Sequence, residues 1–330
     1  MPLHDDPAAA CAWQTPAALA ALVRDCCAQD VRAFKPGNVS VAAPGHAMEA
    51  SHFLRSAAAA AIPLASRGAR VGARVEAAIG ATWQVVDCNT NLGIVLLLAP
   101  LLKAAEQPAS ARAGENRLRE VLVDTLAALD REDAAACYRA IRQARPGGLG
   151  HSGHHDVADE PRVTLLAAMQ EAAARDGVAF EYVSGFAQVF ETGVPCLRAS
   201  AAAGEAELWA LTRCFLTLLA ARPDSHVVRR HGAALANQVS ATAAALLARW
   251  QTASTAAMWP VLRECDRDWK AAGINPGTTA DLVVASLAVM RLQQARGYNG
   301  ARHTPGALVL RERPQAVAPG KSVWAPSHEC

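Results

Sequence analysis

"LGIVLLLAPLLKAA", residues 92–105, runs for fourteen residues with one charge, Lys103, near its end. A helix that crosses a bilayer needs about 20 apolar residues. This run falls short, and Pro100 lies inside it. It reads as a helix buried in protein, opened by the polar turn "DCNTNLG", residues 87–93.

The flanking sequence has the same alanine–leucine texture, broken by single charges, which favours helix. Thr15-Pro16 is a helix start, with threonine as cap and proline in the first turn. Leu19, Leu22, Val23 and Cys26 then recur at helical spacing. Phe53, Leu54 and Ala57 mark a helix from residue 49, and Val71, Val75 and Ile79 mark one over 69–81. Further helices are predicted near 114–128 and 132–144, and from Asp159 and Pro161, where Leu165, Leu166, Met169 and Ala173 share a face. Others follow near 178–192, 204–221, 231–253, 257–271 and 278–295. No alternating run exceeds about five residues, so no strand is expected. The pattern predicts one all-α domain over 15–296 with about ten to twelve helices. An N-terminal arm (1–14) and a tail (297–330) flank it; the tail's proline, glycine and arginine point to partial disorder.

The net charge of the 330 residues is +2, so no basic field points to nucleic acid. The nine cysteines show no repeated CxxC spacing, which argues against a disulfide framework or a zinc site and for a reducing compartment. The opening "MPLHDDPAAACAW" carries two aspartates and no basic segment, unlike a secretory signal. The expectation is a cytoplasmic protein with no membrane span. The sequence leaves the oligomeric state open, a homodimer included.

Five polar loops carry the chemistry, each at a helix end. In "KPGNVS", residues 35–40, Lys35 is a point charge suited to phosphate, and Gly37 lets backbone approach a ligand. Asn38 and Ser40 add hydrogen bonds; an ordinary turn is the alternative. In "NTNLG", residues 89–93, Asn89, Thr90 and Asn91 crowd against an apolar helix. Capping needs one of them, Thr90 or Asn91, so the spare amides could read a purine or a ribose hydroxyl. "PGGLGHSGHHDVADE", residues 146–160, holds His151, His154 and His155 without the spacing of a zinc helix. Asp156 and Asp159 suit magnesium or proton transfer better, unless Asp159 is simply a helix cap. "RPDSHVVRRHG", residues 222–232, clusters Arg222, Arg229, Arg230, His226 and His231, a set able to clamp phosphates, with Asp224 or Ser225 as cap. A solvated basic face is the alternative there.

In "NPGTTADLVVAS", residues 275–286, Thr278 and Asp281 fit a capping box. That leaves Asn275, Gly277 and Thr279 unexplained. A helix start preceded by glycine is an anion site by geometry. Asp281 would repel a bare phosphate and suits it once magnesium bridges the two. Together the five loops predict one polyanion site, with Asp156, Asp159 and Asp281 as the candidate metal carboxylates.

These motifs occur in the order seen in the triphosphoribosyl-dephospho-coenzyme A synthase family, which the chain resembles over residues 17–295. "KPGNVS", "GHAMEASHFLRSA", "NTNLGIVLLLAPL", "PGGLG…HDVADEP", "RPDSHVVRRHG" and "NPGTTADL" carry the resemblance. It implies a helical enzyme that moves the triphosphoribosyl part of ATP onto 3′-dephospho-coenzyme A and releases adenine. It implies magnesium as cofactor and small-molecule partners only. Lys35, Arg229 and Arg230 would hold the triphosphate, and Asn89 and Asn91 the base or ribose. Family members serving citrate lyase and malonate decarboxylase usually have leucine at the position of Asn38 and His-Lys at Asn91-Leu92. The pattern here is similar to a divergent branch from archaea and one-carbon-metabolising bacteria. The alternatives are a related transferase whose acceptor belongs to methanopterin or methanofuran assembly, and a nucleotide-binding protein without catalysis.

Overall fold

The computed structural model describes residues 15–107, 116–148, 150 and 153–295. The predicted arm and tail, and His151, lie outside them. The chain forms α1 (Pro16–Arg32), α2 (Ala50–Leu64), α3 (Val71–Val86), α4 (Leu92–Ala105), α5 (Arg117–Ala127), α6 (Arg131–Ala144) and α7 (Leu165–Ala172). It continues through α8 (Gly177–Ser184), a π-helical turn (Val189–Gly193), α9 (Val194–Ala202), α10 (Glu207–Ala221), α11 (Ser225–His231), α12 (Ala233–Trp250), α13 (Thr255–Ala271) and α14 (Gly277–Ala295). Among the described residues there is no strand, only two isolated bridges, Ser40–Ala43 and Gly45–Met48. No described helix is long and apolar enough to cross a membrane.

The apolar run is α4, buried along nearly its whole length and packed by α2, α3, α5, α8 and α14. Pro100 has no N–H, so the Leu96 carbonyl one turn earlier loses its helical partner. The Tyr182 hydroxyl, arriving from α8, donates to that oxygen at 2.7 Å. The proline is tolerated inside the core because a distant side chain fills the vacancy it creates.

The second buried helix is α14, whose residues Leu282–Val289 are all buried. The π-helical turn passes so near that a Cβ on Gly193 would fall 2.0 Å from Ser286 Oγ. Ser286 in turn donates to Leu282 O at 2.7 Å.

The structure has fourteen helices among the described residues where about ten to twelve were expected. The segment read as one helix over 178–192 stops at Ser184, because Gly185 and Phe186 both turn left-handed, at φ 62° and 60°. The chain re-enters helix as α9 after the π-helical turn. Gly232, at φ 86°, divides α11 from α12. The helix expected from Asp159 begins at Leu165 with Thr164 as its cap, accepting from Ala167 N at 3.2 Å.

Candidate functional site

Four helices start around one cavity of about 380 Å³. Its lining takes Leu92 and Gly93 from α4, Val178 and Ala179 from α8, and Gly277, Thr278, Ala280 and Asp281 from α14. His226 and Arg229 come from α11. Met48, Phe53, Ile141 and Met169 add apolar surface to a wall that also carries Asp30, Lys35 and Asp156.

A turn at the head of α11 ties the α8 and α14 starts together. Asp224 Oδ1 accepts from His226 N at 2.8 Å and Val227 N at 3.0 Å, capping its own helix. Its Oδ2 accepts from Thr279 N and Thr279 Oγ1, both at 2.7 Å. The Thr278–Asp281 capping box is thereby corrected: α14 begins at Gly277, and the acceptor for its early N–H comes from another helix. Ser225 Oγ accepts from Gly177 N at the start of α8 and lies 3.0 Å from Thr278 Oγ1. Asp176 caps α8 through Ala179 N at 3.0 Å and pairs its other oxygen with Arg229 at 2.6 Å.

Glycines let these helices approach. A Cβ on Gly93 would lie 2.0 Å from Asp281 Oδ2, and one on Gly277 would lie 2.8 Å from His226 Nδ1. Gly37, at φ 81°, does not line the cavity; it packs against Ile274 O, and its N–H donates to Asp266 Oδ1 at 2.9 Å. The neighbouring Asn38 reaches the cavity and donates its amide to Asn275 Oδ1. The first and last polar loops of the sequence thus meet.

Lys35 is 1 % exposed and makes an ion pair with Asp30 at 2.9 Å on the cavity wall. It stands as half of a buried pair, where a free point charge was expected. Asn91 holds the N-cap position of α4, as expected, but the side-chain oxygen that accepts from Leu92 N, at 3.2 Å, belongs to Asn89. Thr90 bonds Ser56 of α2, and Asn91 donates its amide to Thr82 Oγ1 of α3 at 3.0 Å. All three line the cavity.

Of the remaining expected residues, Asp156, Asn275, Gly277, Thr278, Arg229 and Asp281 line the cavity. Arg230 and Asp159 are exposed and lie outside its lining. Thr279 and Ser40 are buried and also stand outside it. The sequence reading missed Asp30 and Asp176 altogether; its cap for this turn, Asp224 or Ser225, is Asp224, whose second role of holding the start of α14 it did not foresee.

Electrostatics follow from the crowding. Burial holds the Asp281 carboxyl well above the ordinary range, reinforced by the charges of Asp30 and Asp224 and opposed by Arg229. Burial likewise raises Asp30 and Asp224, against Lys35 and against the Thr279 hydrogen bonds respectively. His226 is lowered to about 4, by burial and then by Arg229 and Arg230, so it is neutral at pH 7. Among the described residues, no three His, Cys, Asp or Glu side chains group into a metal-holding set.

Over residues 16–300 the chain matches the family model described as CitG, ATP:dephospho-CoA triphosphoribosyl transferase. No curated protein is similar enough to match it. Among solved structures it is similar to that of a candidate triphosphoribosyl-dephospho-coA synthase from Archaeoglobus fulgidus, at 23% identity and a TM-score of 0.56, over 74% of this chain and 99% of that one. At that identity the likeness shows the helical fold. The family match spans all five polar loops and every helix that opens on the cavity. The chain belongs to the ATP:dephospho-CoA triphosphoribosyl transferase family of enzymes.

Proposed function

We propose that this enzyme transfers the triphosphoribosyl group of ATP to the 2′-hydroxyl of 3′-dephospho-coenzyme A and releases adenine. The observation that carries the reading is the meeting of the α4, α8 and α14 starts on one cavity beside Arg229. The helix dipoles there and the guanidinium of Arg229 favour a polyanion. Its size falls within the range of small-ligand sites, about 300–1,000 Å³.

In the transfer, the acceptor oxygen bonds to C1′ of the ATP ribose while the bond from C1′ to the adenine nitrogen breaks. The electron pair leaves with adenine, and the hydroxyl proton passes to a base. Arg229 and the Lys35–Asp30 pair border the triphosphate. Asp156, in the loop between α6 and α7, lines the same cavity and is suited to take the proton. Asp281 is suited to hold magnesium, which commonly takes one or two carboxylates and completes its shell with phosphate oxygens and water. A carboxylate crowded by Asp30 and Asp224 fits a cation at that point. Bound there, the ion would neutralise charge on the triphosphate. The seven unpaired cysteines among the described residues support a reducing, cytoplasmic setting.

The test is chromatographic detection of adenine after incubation with ATP, magnesium and dephospho-coenzyme A. Adenine release that requires this acceptor, with a product heavier by one triphosphoribosyl group, is expected. Release only with another acceptor, such as a one-carbon cofactor precursor, would move the enzyme to the related transferase. Tight ATP binding with no release from any acceptor would make it a nucleotide-binding protein.

A further inference from the structure

We propose that Asn38 and Asn91 accept hydrogen bonds from the two ribose hydroxyls of the bound ATP, and so make the site selective for ribonucleotides. Both side chains are 6 % exposed and line the cavity. Each has its amide nitrogen committed, Asn38 to Asn275 Oδ1 and Asn91 to Thr82 Oγ1. Each has a buried Oδ1 with no partner. Buried amide oxygens are rarely left unmatched, because desolvation is not repaid until a donor arrives. Serine hydroxyls can turn toward a new partner, whereas these amides are held by the bonds they already make.

A ligand that brings two donors to the cavity would match both oxygens. A triphosphate has none at neutral pH, and the two that adenine brings sit on one amino nitrogen. A ribose brings a pair of hydroxyls. Position agrees with chemistry. Asn91 immediately precedes α4, and Asn38 is bonded to Asn275, two residues before α14 begins. A 5′-triphosphate seated on those helix starts carries its ribose to the residues that flank them. The proposal rests on the nucleotide reading above and deepens it by naming which atoms of ATP these side chains recognise.

The experiment is equilibrium binding of ATP, 2′-deoxy-ATP, 3′-deoxy-ATP and inosine triphosphate to the wild-type protein, with magnesium present. Each deoxy analogue should bind roughly ten- to a hundred-fold more weakly than ATP, and inosine triphosphate about as well as ATP. In Asn38→Leu and Asn91→Leu, ATP affinity should fall while affinity for one deoxy analogue stays unchanged, so that discrimination collapses. The wild-type series needs no variant to fold. Equal affinity for ATP and both deoxy analogues overturns this proposal and leaves ATP binding standing. Discrimination against inosine triphosphate alone overturns it too, by assigning the two oxygens to the base. Failure of ATP itself to bind overturns the nucleotide reading and this proposal together.

Discussion

Asp224 and Thr279, 55 positions apart, are joined by two hydrogen bonds of 2.7 Å, from the backbone N–H and the hydroxyl of Thr279 to one carboxylate oxygen. The other oxygen caps the helix that Asp224 itself begins. A single buried carboxylate therefore fixes two helix starts against each other. Asp224→Ala strands four donors and should cost about 3 kcal/mol in urea unfolding. Asp224→Asn keeps one acceptor oxygen and should cost about 1 kcal/mol. Unchanged stability in the alanine variant would mean that the two helices are held by packing alone.

Asp281 predicts an unusual pH dependence in the metal-free protein. Its folded pKa lies above the unfolded value, so the folded state binds the extra proton between the two, and stability is lost as pH rises through that window. His226 acts in the opposite sense below about 6.5, its folded value being lowered to about 4. Comparing wild type with Asp281→Asn cancels the histidine. The variant should melt roughly 2–4 °C higher at neutral pH, with the advantage shrinking as pH falls. It should also lose most adenine release. A variant that melts lower than wild type at neutral pH counts against the crowded carboxylate.

Gly93 lies in the first turn of a helix, where alanine normally adds up to about 1 kcal/mol. Here the added methyl would meet Asp281 Oδ2 at 2.0 Å. Gly93→Ala should therefore reduce turnover at least about tenfold, equivalent to about 1.4 kcal/mol of transition-state stabilisation. Normal kinetics would show that Asp281 can move aside at no cost.

Arg229 and Arg230 are adjacent and point to different fates. Arg229 lines the cavity and pairs with Asp176, while Arg230 is exposed and outside the lining. Arg229→Ala should weaken ATP binding about ten- to a hundred-fold, and Arg229→Lys should restore only part of it. Arg230→Ala should bind as wild type. Equal losses from both would return the pair to a diffuse basic face.

Tyr182 and Pro100 form a testable cycle. Tyr182→Phe leaves the Leu96 carbonyl without a donor and should cost about 1–3 kcal/mol. Pro100→Ala supplies the missing N–H, so adding it to Tyr182→Phe should recover much of that loss. Additive single effects in calorimetry would dissociate the two residues.

Much of the fold was legible because its signals are local. The fourteen apolar residues of α4 announce a buried helix, and Thr15-Pro16 announces α1. The site was legible in its loops, which carry residue types rare inside helices. What stayed hidden depends on contacts far apart in sequence. Thr278 and Asp281 have the spacing of a capping box, but Gly277 already starts the helix and Asp224 reaches it from another element. Asp30 looks like any polar residue of an amphipathic helix until Lys35 folds back onto it. Asp159 matches a cap in sequence, yet the loop runs on to Thr164 before turning helical.

The notch between Gly193 and Ser286 has a mechanical consequence. Ser286 lies five residues beyond Asp281, roughly 7.5 Å along the same helix. By seating there against a backbone with no side chain, α14 has its axial travel and its rotation indexed at mid-length. A helix is stiff along its axis, so the depth at which its first turn meets the cavity is set at that remote stop. Residue 193 lies outside the cavity lining and carries no charge, yet it is the gauge against which the reach of Asp281 is measured.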